Sequence, residues 1–172
     1  MKKILINIIL CFCMTLNLQA QTLNKKIIDT KTNKEILIGY CNIEGLKTDS
    51  FGLVFKDEYK YYIPDSITIT LLRSKIKKIK FEIVMGTWCG DSKEQVSRFI
   101  KILDVLKYKT KKINILCLDH FFNAENFEKG KNNIQKVPTF IIYRKNKEIG
   151  RIVEAPMNSL EKDLLDILNK PV

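Results

Sequence analysis

Of the five cysteines in this 172-residue chain, Cys89 sits where a thiol is most easily put to work. Residues 81–92 read FEIVMGTWCGDS, so an apolar strand-like run ends in a short turn that delivers Trp88 and Cys89 to the start of a helix. Unpaired backbone N–H groups and the positive end of the dipole at a helix N-terminus stabilise an anion. A sulfur there is expected to be nucleophilic rather than inert. Ser92 stands three residues later, where a second cysteine would be needed for an internal disulfide, and a hydroxyl cannot form one. Asp91 adds a carboxylate to the same turn, which suits the helix N-terminus but opposes a thiolate close by.

The remaining cysteines divide by position. Cys11 and Cys13 lie in the first twenty residues, preceded by Leu10 and Phe12 rather than by the small residue a lipidated cysteine needs. That leaves Cys41, Cys89 and Cys117, an odd number that cannot be a closed disulfide framework. Cys117 lies between Leu116 and Leu118 and reads as a small core hydrophobe. Cys41 follows Gly39 and Tyr40 and is either packed and inert or a remote resolving thiol for Cys89. His120 is the only histidine. With no second one beside it a metal site is not expected, and a loop or packing role suits it better.

The first twenty residues have the layout of a secretory signal peptide: a basic start at Lys2 and Lys3, an apolar run from 4 to 18, and a small residue at Ala20 where cleavage is expected. The run is short for a spanning helix and is interrupted by Asn7, Thr15 and Asn17. The mature chain is therefore expected to be exported, to a periplasmic or other extracytoplasmic space, with no stable membrane insertion. Export with an unpaired thiol points to redox chemistry or an intermolecular bond. The formal charge is +11. The lysines are scattered among Ile and Asn, with no arginine-rich face, so the charge reads as a solvated surface and nucleic-acid binding is not expected.

Positioning these residues falls to the elements around them. Residues 21–65 form an N-terminal extension whose apolar spacing over 36–62 predicts helix, with Phe51, Val54, Phe55, Tyr59 and Tyr62 on one face. A short helix follows at 67–76, with Ile67 and Leu71 inward and Leu72 a further candidate for that face. Then come a strand at 80–85, a helix at 92–106, a strand at 112–118, a modest helix at 124–134, a hairpin of strands 139–143 and 148–153, and a last helix capped by Asn158 and Ser159. This order describes a mixed central sheet with helices on both faces. The return strand of the hairpin ends at Glu154, expected near Cys89 as a proton acceptor or substrate contact, or else as a solvated or capping residue.

Trp88-Cys89-Gly90 after the first strand of this run, with Val137-Pro138-Thr139 before the hairpin, resembles the thioredoxin family. The resemblance covers the chain from about residue 78 to the C-terminus, and the helix from 67 as well. It implies a three-layer α/β/α thioredoxin-like domain over 66–172. It implies that Cys89 is the nucleophile that attacks a disulfide, that Trp88 shields it, and that Pro138 is a cis-proline facing it. The backbone of Val137, beside Pro138 and Thr139, would pair with the substrate chain as an added strand. Taken alone, Pro138 reads as an ordinary strand-edge proline. Two departures touch mechanism. Ser92 replaces the family's second cysteine, giving the monothiol motif Cys-Gly-Asp-Ser. Ile83 stands where many members carry a buried acid, with Glu82 directed to the other face.

The expectation is an exported thiol–disulfide oxidoreductase, reductase or isomerase-like, that uses one cysteine on protein disulfides. It needs no bound cofactor or metal. Glutathione or another small thiol, the substrate's own second thiol or a redox partner protein would resolve the mixed disulfide. The alternative is a non-catalytic module of the same fold that binds peptide or protein partners. Peroxide reduction by Cys89 ranks last.

Overall fold

Alternating apolar residues and capped amphipathic runs resolve into six strands and five α-helices in the computed structural model, which describes residues 22–125, 127 and 133–170. The expected signal peptide lies outside these residues. Strands β1 (Lys25–Ile28) and β2 (Glu35–Cys41) form a hairpin, followed by α1 (Ile43–Leu46), α2 (Asp49–Tyr61) and α3 (Ser66–Lys75). A 3-10 turn at Ile76–Lys78 leads into β3 (Ile79–Met85), then α4 (Gly90–Val105), a 3-10 turn at Thr110–Lys112 and β4 (Asn114–Cys117). The hairpin β5 (Thr139–Arg144) and β6 (Lys147–Val153) precedes α5 (Leu160–Asn169).

The strands make one sheet in the order β1-β2-β4-β3-β5-β6. Only β3 and β4 run parallel, with Ile83 opposite Ile115 and Met85 opposite Cys117. The other pairs are antiparallel. The β5–β6 turn holds Lys145 and Asn146 at φ 53° and 63°. Two successive positive φ values match the right-handed twist of a tight hairpin.

Successive strand residues face opposite sides, and the sheet separates two apolar clusters. Phe81, Ile83, Met85, Ile115, Cys117, Phe140 and Ile142 join the larger one, which also takes Phe55 of α2, Leu72 of α3, Phe99 and Leu103 of α4, and Leu164 and Leu168 of α5. In α4, Val96, Phe99, Ile100 and Leu103 recur at helical spacing and are all buried. Each such side chain contributes roughly 1.5–3 kcal/mol by leaving water. The smaller cluster, on the opposite face, joins Val84, Leu116, Leu118, Val137 and Ile141, with Trp88 and Cys89 packed against it.

Several expectations change. Residues 36–41, expected as helix, belong to the inner strand of the N-terminal hairpin, whose Gly39 to Cys41 pair with β4, so the extension 21–65 shares the sheet that carries Cys89. Ile36 and Leu37 are both buried, and two adjacent buried residues break the alternation by which a strand is recognised. The helix α2 lies within the expected span and packs on α4. In α3, Ile67 and Leu71 are 73% and 51% exposed, while Thr68, Ile69 and Leu72 face inward. Asp65 caps α3 by accepting from the Thr68 N–H, and Ile76 extends the stripe of Ile69 and Leu72 beyond the helix end. For the expected helix at 124–134, residues 126 and 128–132 lie outside the described set. Residues 124, 125, 127, 133 and 134 are not helical. Among the described residues, helical side chains therefore enter the larger cluster only, and non-helical residues such as Phe122, Phe127 and Ile134 cover the smaller one.

Candidate functional site

The turn between β3 and α4 carries the site. Cys89 is the N-cap of α4, with extended backbone at φ −83° and ψ 131°. Its carbonyl accepts the first helical bond from Lys93 N–H at 3.2 Å, and its own N–H donates to Gly86 at 3.0 Å. The thiol is half-buried and free. Its Sγ lies 3.4 Å from the Val137 carbonyl oxygen, directly before a cis Val137–Pro138 peptide. Gly90 and Asp91 are exposed, and a Cβ added at Gly90 would meet nothing within 4 Å, so the approach over this turn is open. The sequence-predicted Cys89, Val137 and Pro138 thus come together across 48 residues of chain.

Ser92 is fully buried, and its hydroxyl accepts from Gly86 N–H at 3.3 Å. It acts as a brace between the first turn of α4 and the loop before it. Thr139 is buried as the first residue of β5, and its hydroxyl donates to the Lys136 carbonyl at 2.7 Å. Among the described residues the Val137 N–H has no hydrogen-bond partner. Glu154 meets this loop from the hairpin side: its N–H donates to the Pro138 carbonyl at 2.7 Å, while its carboxylate pairs with Lys136 at 2.5 Å. It therefore anchors the cis-proline loop through its backbone and spends its charge on a lysine. At the β3 positions before the motif, Ile83 is fully buried and Glu82 accepts from the Tyr143 hydroxyl at 2.9 Å. Burial first, and that carboxylate second, push the Tyr143 phenol well above its usual range.

Trp88 is held on three sides. Its indole N–H donates to the Leu118 carbonyl at 2.9 Å. A Cβ at Gly86 would come within 2.6 Å of the ring, so only glycine admits the indole there. The imidazole of His120 stacks on it with centroids 3.9 Å apart and planes 21° apart. The histidine Nδ1 lies 2.9 Å from Oδ1 of Asp29, which is 3% exposed and sits in the turn between β1 and β2. Sequence reasoning places His120 in a loop and does not single out Asp29. The two are 91 residues apart. The one local signal is Asp-x-x-Thr at Asp29 and Thr32, a turn in which the aspartate accepts from backbone ahead of it.

Cys41 is not brought to Cys89. It lies 5% exposed in the larger cluster with Cys117, so the sheet stands between it and the candidate nucleophile. Its neighbour is Cys117, fully buried on β4, where Gly39 is opposite Cys117 and Cys41 opposite Ile115. Hydrogen bonding with Cys41 first, and burial second, raise the Cys117 thiol well above its usual range. Cys41 also lines a cavity of about 750 Å³ on that side, walled by Ile43, Phe55, Ile100 and Ile113. Among the described residues no three His, Cys, Asp or Glu are arranged to hold a metal ion, and no helix is long and apolar enough to cross a membrane.

The mixed sheet, the helix that begins at a cysteine and the cis-proline before the antiparallel hairpin define a thioredoxin-like α/β fold. No protein-family model matches the chain, and no curated protein matches it in sequence. Among solved structures, it is similar to the germline-specific thioredoxin Deadhead of Drosophila melanogaster, at 23% identity over 60% of this chain and 90% of that one, with a TM-score of 0.37. It is also similar to a Pseudomonas aeruginosa protein of unknown function, at 12% identity over 69% of this chain and 74% of that one, with a TM-score of 0.44.

Proposed function

We propose that this protein exchanges thiols and disulfides in protein partners through Cys89 alone, in the extracytoplasmic space to which its leader directs it. The observation that carries the reading is the half-buried Cys89 sulfur at the start of α4, 3.4 Å from the Val137 carbonyl beside cis-Pro138. The thiolate of Cys89 attacks one sulfur of a partner disulfide. That S–S bond breaks, a Cys89–partner disulfide forms, and the displaced thiolate takes a proton from water. An incoming extended segment would pair with the backbone beside cis-Pro138 as an added strand. Ser92 cannot release the adduct. A second thiolate, from the partner itself or from a small thiol such as glutathione, attacks the partner sulfur and frees Cys89. With a different thiol of the partner the result is isomerisation, whereas return of the displaced thiol only reverses the first step. With two small thiols it is net reduction of the partner by two electrons.

The test is turnover of insulin or a peptide disulfide by the purified chain, with and without glutathione. Loss of turnover in Cys89→Ser is expected, together with adducts on the wild type that persist until a small thiol is added. Equal behaviour of wild type and Cys89→Ser would refute the reading. The cleft beside Cys41, lined by Ile43, Phe55, Ile100 and Ile113 together with Lys47, Lys56 and Asp104, is the feature that a second reading as a binding module would use, and that outcome would favour it.

A further inference from the structure

The cluster around Trp88 takes no part in the exchange step just described, yet it is built as tightly as a site. Asp29 is nearly inaccessible, and a carboxylate so placed is costly unless its oxygens are bonded. Its Oδ2 accepts from the Thr32 N–H at 2.8 Å and from the Thr32 hydroxyl at 2.5 Å, and its Oδ1 faces His120. The Thr32 hydroxyl, opposed by burial and assisted by His120, holds the acid below the usual carboxylate range. An ionised carboxylate only accepts, so Nδ1 of His120 must carry the proton it shares with Asp29. The bond thereby fixes ring orientation and tautomer together. The oriented ring lies flat on the indole of Trp88, the residue bonded to Cys89.

We propose that Asp29 and His120 are positioning residues for the exchange reaction: they lock the Trp88 indole beside Cys89, so that the N-terminal hairpin governs how fast Cys89 accepts a protein disulfide. This rests on Cys89 being the exchange nucleophile. The loop after β4 meets the indole through His120 and Leu118, the motif meets it at Gly86, and the β1–β2 turn reaches it through the Asp29–His120 bond. A polypeptide disulfide must be aligned along the wall the indole makes, whereas a small alkylating reagent needs only the sulfur. Loosening the indole should therefore slow the first reaction and spare the second.

The chain has a single tryptophan, so its fluorescence reports on Trp88 alone. In His120→Ala, acrylamide quenching of Trp88 should rise about twofold, exchange with a peptide disulfide should fall about tenfold, and alkylation by iodoacetamide should stay within about twofold, as expected when a positioning group rather than the nucleophile is lost. His120→Phe, which keeps a ring on the indole, should recover most of the quenching protection. Asp29→Asn, which keeps the turn but not the charge, should shift quenching in the direction of His120→Ala. Quenching and exchange unchanged in His120→Ala would overturn the inference, and so would equal losses in peptide exchange and alkylation. If His120→Ala does not fold, unchanged quenching and exchange in Asp29→Asn would overturn it equally. Failure of the exchange reading itself would appear separately, as a wild-type protein inert towards the peptide disulfide.

Discussion

On the proposed exchange reading, replacing Ser92 by cysteine should allow adducts on Cys89 to be released. Ser92 is the third residue after the Cys89 cap, and a side chain there reaches back over the N-terminus, as it does in a capping box. The Ser92 hydroxyl already does this, meeting Gly86 N–H at 3.3 Å. The bond is long, so its loss should cost about 0.5–1 kcal/mol, the lower part of the range for a neutral hydrogen bond. Fitting a larger sulfur into a fully buried position adds a comparable amount. Together these come to about 1–2 kcal/mol, so the reduced Ser92→Cys variant should melt about 2–8 °C below the wild type. Oxidation that joins Cys89 to the introduced thiol closes a four-residue loop, worth about 2 kcal/mol in the chain-entropy treatment. The oxidised variant should thus melt at or above the wild type. Two assays read the chemistry. Mild oxidation should remove two titratable thiols from the variant and form an internal disulfide seen by mass. A glutathione adduct on Cys89 should decay in the variant without added thiol, while it persists on the wild type. Retention of all thiols under oxidant, or adduct lifetimes equal to wild type, would refute the inference that a thiol at residue 92 reaches Cys89.

Three further outcomes follow from other parts of the fold. Native protein should show one thiol that reacts rapidly with Ellman's reagent, Cys89, while Cys41 and Cys117 react only on unfolding. Simultaneous reaction of all three would contradict their burial at 5% and 0% exposure. Glu161 is 3% exposed and accepts from the Tyr62 hydroxyl at 2.7 Å and Asp65 N–H at 2.8 Å. Glu161→Ala strands both donors and should lower stability by about 2–4 kcal/mol, with Glu161→Gln losing less; a urea midpoint within error of wild type for the alanine variant would contradict this. Asp65, lowered first by its bond from the Thr68 hydroxyl, has a folded value below the unfolded one of about 3.9. Between those values the unfolded chain binds more protons, so its contribution is present above about pH 4 and is lost as pH falls through the folded value. Urea midpoints measured from pH 6 down to 2.5 should fall less steeply in Asp65→Asn, and parallel curves would exclude the cap as a source of acid lability.

The elements nearest the site are those whose signals are local. The strand ending at Met85, the helix from Gly90, the β5–β6 hairpin and the capped α5 all fall within a residue or two of where periodicity and caps place them. The same holds for the motif residues. Trp88, Cys89 and Ser92 are adjacent in sequence, and Val137-Pro138-Thr139 is marked by its own composition. The N-terminal hairpin is harder to read because a strand's identity depends on its neighbour. Within β2, Glu35 to Ile38 pair with β1, and Gly39 to Cys41 pair with β4, more than seventy residues away. The orientation of α3 is hidden for a related reason: Ile67 and Leu71 are as apolar as Ile69 and Leu72, and only the packing of α3 on α5 selects between the two stripes.

A cysteine, a serine three residues on and a proline before a hairpin are covalent facts, and local backbone chemistry alone makes the first of them a candidate reactive turn. What the chain in one dimension does not contain is which face of the sheet each sulfur occupies, or which distant side chains reach the indole. Strand pairing decided both. A shift of one residue in a strand exchanges its two faces, so the register that sets Cys41 beside Cys117 also keeps it from Cys89. The fold of the hairpin, in turn, carries Asp29 to His120 and His120 onto Trp88. These are contacts between residues far apart in sequence. They exist only once the entropy of closing long loops has been offset by burial of the core between them.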